Sequence, residues 1–148
     1  MTEMYSALFD RELTKLSKEI QSFQLESNLW VVQGEVTNSA GNLCLHLVGN
    51  LNAYIGQSLG GTSYIRDRAF EFQGKSVSRA ELQIMIEETQ AVLARTFENL
   101  NEDGLNAPYP EQVLGYEMTT GYFIMHLLSH FSYHLGQINY LRRMIDNL

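Results

Sequence analysis

The sequence predicts an all-α fold, a four-helix bundle in a single domain. Apolar residues recur at steps of three and four through four long stretches. No segment keeps a two-residue alternation for long, although Trp30 to Val36 would suit a short extended piece. Recognisable caps and stops bracket the helical stretches. The chain has 148 residues, which sets the expectation of one domain, 1–148. With 45% hydrophobic and 18% charged residues, it has the balance of a globular protein and not of a disordered one.

The first helix is expected from Thr2 to about Phe23, with Tyr5, Leu8, Phe9, Leu13, Leu16, Ile20 and Phe23 forming its apolar face. Asp10, Arg11, Lys15, Lys18 and Glu19 solvate the other face. Asn38-Ser39 caps a second helix from about Ala40 to Leu59, which Gly60-Gly61 stops. Ser78 and Glu81 form a capping box that opens a third helix, reaching to about Leu100. Gly104, Pro108, Pro110 and Gly115 make Asn101 to Gly115 a loop. Thr119 or Thr120 caps a fourth helix from about Gly121 to Asp146. That helix is apolar nearly all round, which marks it as the buried centre of the fold. Helices of roughly 20 residues run about 30 Å, a length that suits a bundle. The joins, at roughly 15 to 20 residues, are long enough to permit a crossover, and loops beyond about 12–15 residues are often functional.

Charge and cysteine usage exclude several functions. Ten basic against 17 acidic side chains give a net charge of −7, so there is no footprint for nucleic acid or for an anionic membrane surface. The longest apolar runs are far too short to span a bilayer. Met1 to Asp10 lacks the basic start of a signal peptide, so the chain is expected to be soluble and cytoplasmic. One cysteine, Cys44, excludes an internal disulfide and reads as a small buried hydrophobe.

The chemistry resides in the histidines. His126, His130 and His134 lie at steps of four on the last helix. Each step turns about 40° and rises about 6 Å, so adjacent members can share one small cation. Three such ligands from one helix drift too far to converge. His130 therefore pairs with either His126 or His134, and spacing alone leaves the choice open. The stripe continues through Tyr133 and Gln137 and should face inward, where unpartnered imidazoles cost about 1–3 kcal/mol each. His46, on the second helix, has Gly49, Asn50 and Ala53 as neighbours one and two turns on, so space is left beside it. Asn50 and Gln137, each one turn from a proposed ligand, are the expected acceptors that orient the rings. Three neutral imidazoles leave a divalent ion with open positions, the pattern of a catalytic site, and suit zinc, nickel or iron equally.

Arg66, Asp67, Arg68 and Glu71 fall in the second long join. Arg66 and Arg68 are either an anion clamp for a substrate or cofactor carboxylate, or part of a salt-bridge knot that pins the join to the bundle. The knot is the simpler reading. Tyr64 and Phe72 are placed to anchor the join by burying their rings, and Tyr109 and Tyr116 either line a pocket mouth or pack.

The pattern His46-Leu-Val-Gly-Asn50 with His130-Phe-Ser-Tyr-His134-Leu-Gly-Gln137 resembles the DinB/YfiT-like superfamily. The segment Gly61-Thr-Ser-Tyr64-Ile-Arg66-Asp67-Arg68-Ala-Phe-Glu71-Phe72 resembles the signature of a DinB-like subgroup of unknown function. The resemblance spans the whole chain. It implies an up-down-down-up bundle with a long crossover, a divalent metal on His46, His130 and His134, and His126 as an outer support or pocket wall. It also implies a homodimer. Relatives include metal-dependent transferases that use low-molecular-weight thiols such as bacillithiol or mycothiol, and a maleylpyruvate isomerase. The resulting expectation is a metal-dependent S-transferase, with a hydrolase as the nearby variant, acting on a small molecule. The alternative is a non-catalytic metal-binding or stress-response bundle.

Overall fold

The computed structural model describes residues 1–147, and these contain six α-helices and no β-strand. The helices are α1 (Thr2–Ser22), α2 (Ala40–Leu51), α3 (Arg68–Gln73), α4 (Arg79–Asn99), α5 (Glu102–Asn106) and α6 (Thr120–Ile145). The four long periodic stretches become α1, α2, α4 and α6. The joins are less irregular than expected: α3 and α5 are short helices, each opened by a side-chain cap from Asp67 or Asn101. Both are too short to persist alone, so their packing has to hold them.

The expected caps close the long helices. The Ser39 hydroxyl accepts from the Asn42 amide, and the Thr119 hydroxyl accepts from that of Tyr122. Ser78 and Glu81 complete the capping box at the start of α4. Trp30 to Val36 forms no strand: Val31 is extended, and a turn follows at Gly34-Glu35. A 3₁₀ turn at Glu26–Trp30 leads into that segment, with the Asn28 amide folded back onto the Leu25 carbonyl.

α1 packs on α4 and α6, and α2 packs on α3, α4 and α6. Phe9, Leu13, Leu16, Leu47, Leu51, Ile86, Phe97, Phe123, Phe131 and Ile138 belong to one contiguous core. The centre of that core is α2, not α6 as the sequence predicts. Every residue from Ala40 to Leu51 is buried. α6 is instead two-faced, with Met125, Tyr133, Tyr140 and Met144 on its outer side. Composition misleads here because tyrosine and methionine tolerate water, whereas the glycines, asparagines and histidine of α2 are buried by what surrounds them.

α2 also ends differently. After Leu51 the chain unwinds slightly into a wider π-helical turn, Asn52–Gln57, before the break at Gly61, whose φ of +69° favours glycine. The Ser58 amide bonds to the Ala53 carbonyl and the Leu59 amide to that of Ile55, so the Tyr54 carbonyl is passed over. The Tyr109 hydroxyl donates to it at 2.7 Å. A π-turn of this kind is held by its neighbours and commonly sits beside a functional site.

Replacing Ser78 by Ala removes an exposed cap and should lower stability by about 1 kcal/mol. Urea denaturation checks this, and the far-UV circular dichroism of the folded state should not change.

Candidate metal centre

His46 comes from the buried middle of α2, and His130 and His134 come from one face of α6. The His130 Nε2 lies 3.2 Å from the Nε2 of His46 and 3.2 Å from that of His134. One ligand atom from each ring falls within 4.8 Å of the others. Among the described residues this is the one such group of histidine, cysteine and acidic side chains.

Hydrogen bonds on the far side of two rings set which nitrogen faces the group. The Nδ1 of His46 is 3.0 Å from Glu71 Oε1. A carboxylate only accepts, so Nδ1 carries the proton and the Nε2 lone pair points at His130. The Nδ1 of His134 is 2.7 Å from Gln137 Oε1, with the same consequence. His130 sits between two lone pairs and can donate one Nε2 proton to only one of them, while its own Nδ1 is buried without a partner. The cluster therefore cannot satisfy itself with protons. A cation bound to all three rings would satisfy it. Metal–nitrogen distances of about 2.0–2.1 Å in tetrahedral geometry put neighbouring ligands about 3.3–3.4 Å apart, close to the 3.2 Å from His130 to each of the other two rings. Three histidines could thus hold a metal ion.

Two of the rings, His130 and His134, are held unprotonated, as ligands must be. Desolvation, followed by the nearby charges of His134, His46, His126 and Arg66, pushes His130 down to about 4. His134 is also lowered, chiefly by desolvation and then by His46, against the hydrogen bond it donates to Gln137.

Glu71 is the residue that reading the sequence did not assign to the site. It is 3% exposed and takes a two-pronged ion pair from Arg66, Nε to Oε2 at 2.8 Å and Nη2 to Oε1 at 2.9 Å. Burial alone would raise its carboxyl, but the hydrogen bonds from His46 and Arg66 and the guanidinium charge outweigh that and hold it below the usual range. α3 presents this side chain because Asn42 of α2 donates to the Glu71 and Gly74 carbonyls at 3.0 and 2.7 Å. The space seen beside His46 is real, and Glu71 fills it: a Cβ at Gly49 would collide with the carboxylate. That glycine one turn after His46 was the available signal.

The other expected residues are distributed unevenly. Gln137 orients His134, as described. Asn50 does not orient His46, since Glu71 has taken that position; it is buried on a cavity wall with its Oδ1 unpartnered. His126 stacks on Phe123, with ring centroids 5.8 Å apart, and lines the same cavity outside the triad. Tyr133 faces solvent at 66% exposure, contrary to the inward expectation; its position one residue before His134 rotates it about 100° away. Its ring still lies edge-on to His134 at 5.3 Å. Of the two arginines, Arg66 forms the salt-bridge knot, while Arg68 lies over the Phe72 ring and lines the cavity. Tyr54 and Phe123 complete a wall of that cavity, which measures about 260 Å³. Cys44 is fully buried, and desolvation pushes its thiol up to about 12, so it does not act as a ligand or nucleophile at neutral pH.

Residues 2–148 match the family described as protein of unknown function (DUF1572). The chain belongs to that family. Its fold is also similar to a crystal structure of a conserved protein from Enterococcus faecalis, at 12% identity and a TM-score of 0.78, covering 100% of this chain and 98% of that one. At that identity the likeness concerns the fold alone. No curated protein matches the sequence.

Glu71→Gln should weaken metal affinity about 10–100-fold without unfolding the protein, because the amide is a weaker acceptor for the His46 proton. A chelator-competition titration measures this. Gly49→Ala should weaken affinity similarly by displacing the carboxylate.

Proposed function

We propose that this chain is a DinB-like four-helix-bundle protein of up-down-down-up topology, with α1, α2, α4 and α6 as its rods. In this reading it binds one divalent metal, zinc, nickel or iron, through His46, His130 and His134, and acts as a metal-dependent S-transferase on a small molecule. The observation that carries the reading is the convergence of three Nε2 atoms beside a cavity that His46 and His130 themselves line. A purely structural site is closed by protein ligands, whereas a catalytic one keeps positions free. The cavity therefore favours catalysis over the non-catalytic bundle.

When bound, a divalent metal supplies Lewis acidity that makes a thiol or a water nucleophilic at neutral pH. The chain's own residues do the positioning. Glu71 and Gln137 fix the His46 and His134 tautomers with Nε2 inward. Val113, Phe123 and Leu127 give the cavity an apolar side against which a substrate body would lie. A low-molecular-weight thiol would enter as the second substrate, and a hydrolase is the variant in which water takes its place.

The cytoplasm is the proposed location; no helix among the described residues is long and apolar enough to cross a membrane. A homodimer belongs to the same reading, supported by the exposed Tyr133, Tyr140 and Met144 along α6.

His130→Ala should reduce bound metal from about one ion per chain to a trace, while circular dichroism stays native because the apolar core is independent of the site. Full metal retention in that variant would refute the ligand set. With metal present, thiol-dependent consumption of 1-chloro-2,4-dinitrobenzene supports transfer chemistry. Stoichiometric metal without turnover of any thiol–electrophile pair points to the non-catalytic bundle.

A further inference from the structure

The cavity beside the histidines has a charge opposite to that of the whole molecule. The chain has 17 acidic and 10 basic side chains, yet no carboxylate lines this cavity and two arginines do. The Arg66 guanidinium is neutralised by its two-pronged pair with Glu71. That of Arg68 is not: among the described residues it makes no ion pair, and it lies over the Phe72 ring, 5.8 Å from the centroid. Stacking of this kind leaves the edge of the guanidinium free to donate. Asn50, 6% exposed, lines the same cavity with its amide oxygen unpartnered. A buried acceptor left unpaired carries a desolvation penalty that a ligand donating to it relieves. Val113, Phe123 and Leu127 supply apolar surface. At about 260 Å³ the cavity falls just below the usual range for small-ligand sites, about 300–1,000 Å³, so its occupant is compact.

We propose that this cavity selects a small organic anion, a carboxylate on a compact apolar body that carries a hydrogen-bond donor. The carboxylate pairs with the Arg68 guanidinium, the apolar body lies against Phe123 and Leu127, and the donor meets Asn50 Oδ1. The inference names the substrate class of the site proposed above and rests on that reading for its catalytic meaning. The anion site itself needs only Arg68, Asn50 and the apolar wall.

The test is isothermal titration calorimetry with 3-hydroxybenzoate and its uncharged analogue 3-hydroxybenzamide. Wild type and Arg68→Gln are compared, each metal-free and zinc-loaded, with zinc content measured on the same samples. Wild type should bind the carboxylate at least about tenfold more tightly than the amide, as a charge-assisted contact requires. Arg68→Gln should erase that preference to within about twofold, leave amide binding unchanged and retain the same zinc. Equal affinities in wild type, equal weakening of both probes by Arg68→Gln, or no binding of either probe overturns the proposal, and unaltered zinc uptake then leaves the metal reading standing. No zinc uptake together with an Arg68-dependent preference for the carboxylate has the opposite meaning: the metal reading falls and the anion site remains.

Discussion

The hydrogen bond between His46 and Glu71 is the contact on which the rest of the site depends. It joins α2 to α3 across 25 residues of sequence, with both side chains nearly out of water. A buried carboxylate is tolerated only when its charge is matched and its oxygens are occupied. Arg66 matches the charge with two hydrogen bonds, and His46 takes the remaining donor role. The same contact fixes the ring so that its Nε2 faces the imidazoles of α6. One interaction thus satisfies a buried charge, closes a long join onto the core and sets the tautomer needed for metal binding.

The local structure around it follows from that demand. α2 needs a residue without a Cβ at position 49, since the carboxylate occupies that space. Asn42, one turn before His46, pins the backbone of α3. The six-residue α3 has little stability of its own, and these contacts supply what its length cannot. Downstream, the π-turn carries Tyr54 beneath the Arg66 guanidinium, 5.4 Å from ring to charge, and against Phe123. The irregular end of α2 and the irregular join therefore meet around the same arginine.

Two arginines two residues apart, Arg66 and Arg68, serve different ends. Arg66 belongs to the interior pair, and Arg68 is left unmatched at the cavity. Near the triad, desolvation and mutual repulsion keep His130 and His134 neutral. His130 therefore adds no charge to the cavity at neutral pH, and the side chains of Arg66 and Arg68 are its permanent cations.

Short-range order was legible in the residues themselves. The steps of three and four in α1, α2, α4 and α6, the caps at Ser39, Ser78 and Thr119, and the i, i+4 pair His130 and His134 all act within about one helical turn, where spacing translates directly into geometry. Cys44 also behaves as its composition suggested. Tertiary structure alone decided what spans distance. Which helix is buried on all sides depends on how many neighbours surround it, and α2, with its histidine and asparagines, outranks the more apolar α6. That Glu71 and not Asn50 orients His46, and that Arg66 is consumed while Arg68 remains free, depends on the course of a join whose path no local periodicity encodes. His46 and His130 are 84 residues apart, and only the packing of α2 on α6 brings their nitrogens to 3.2 Å.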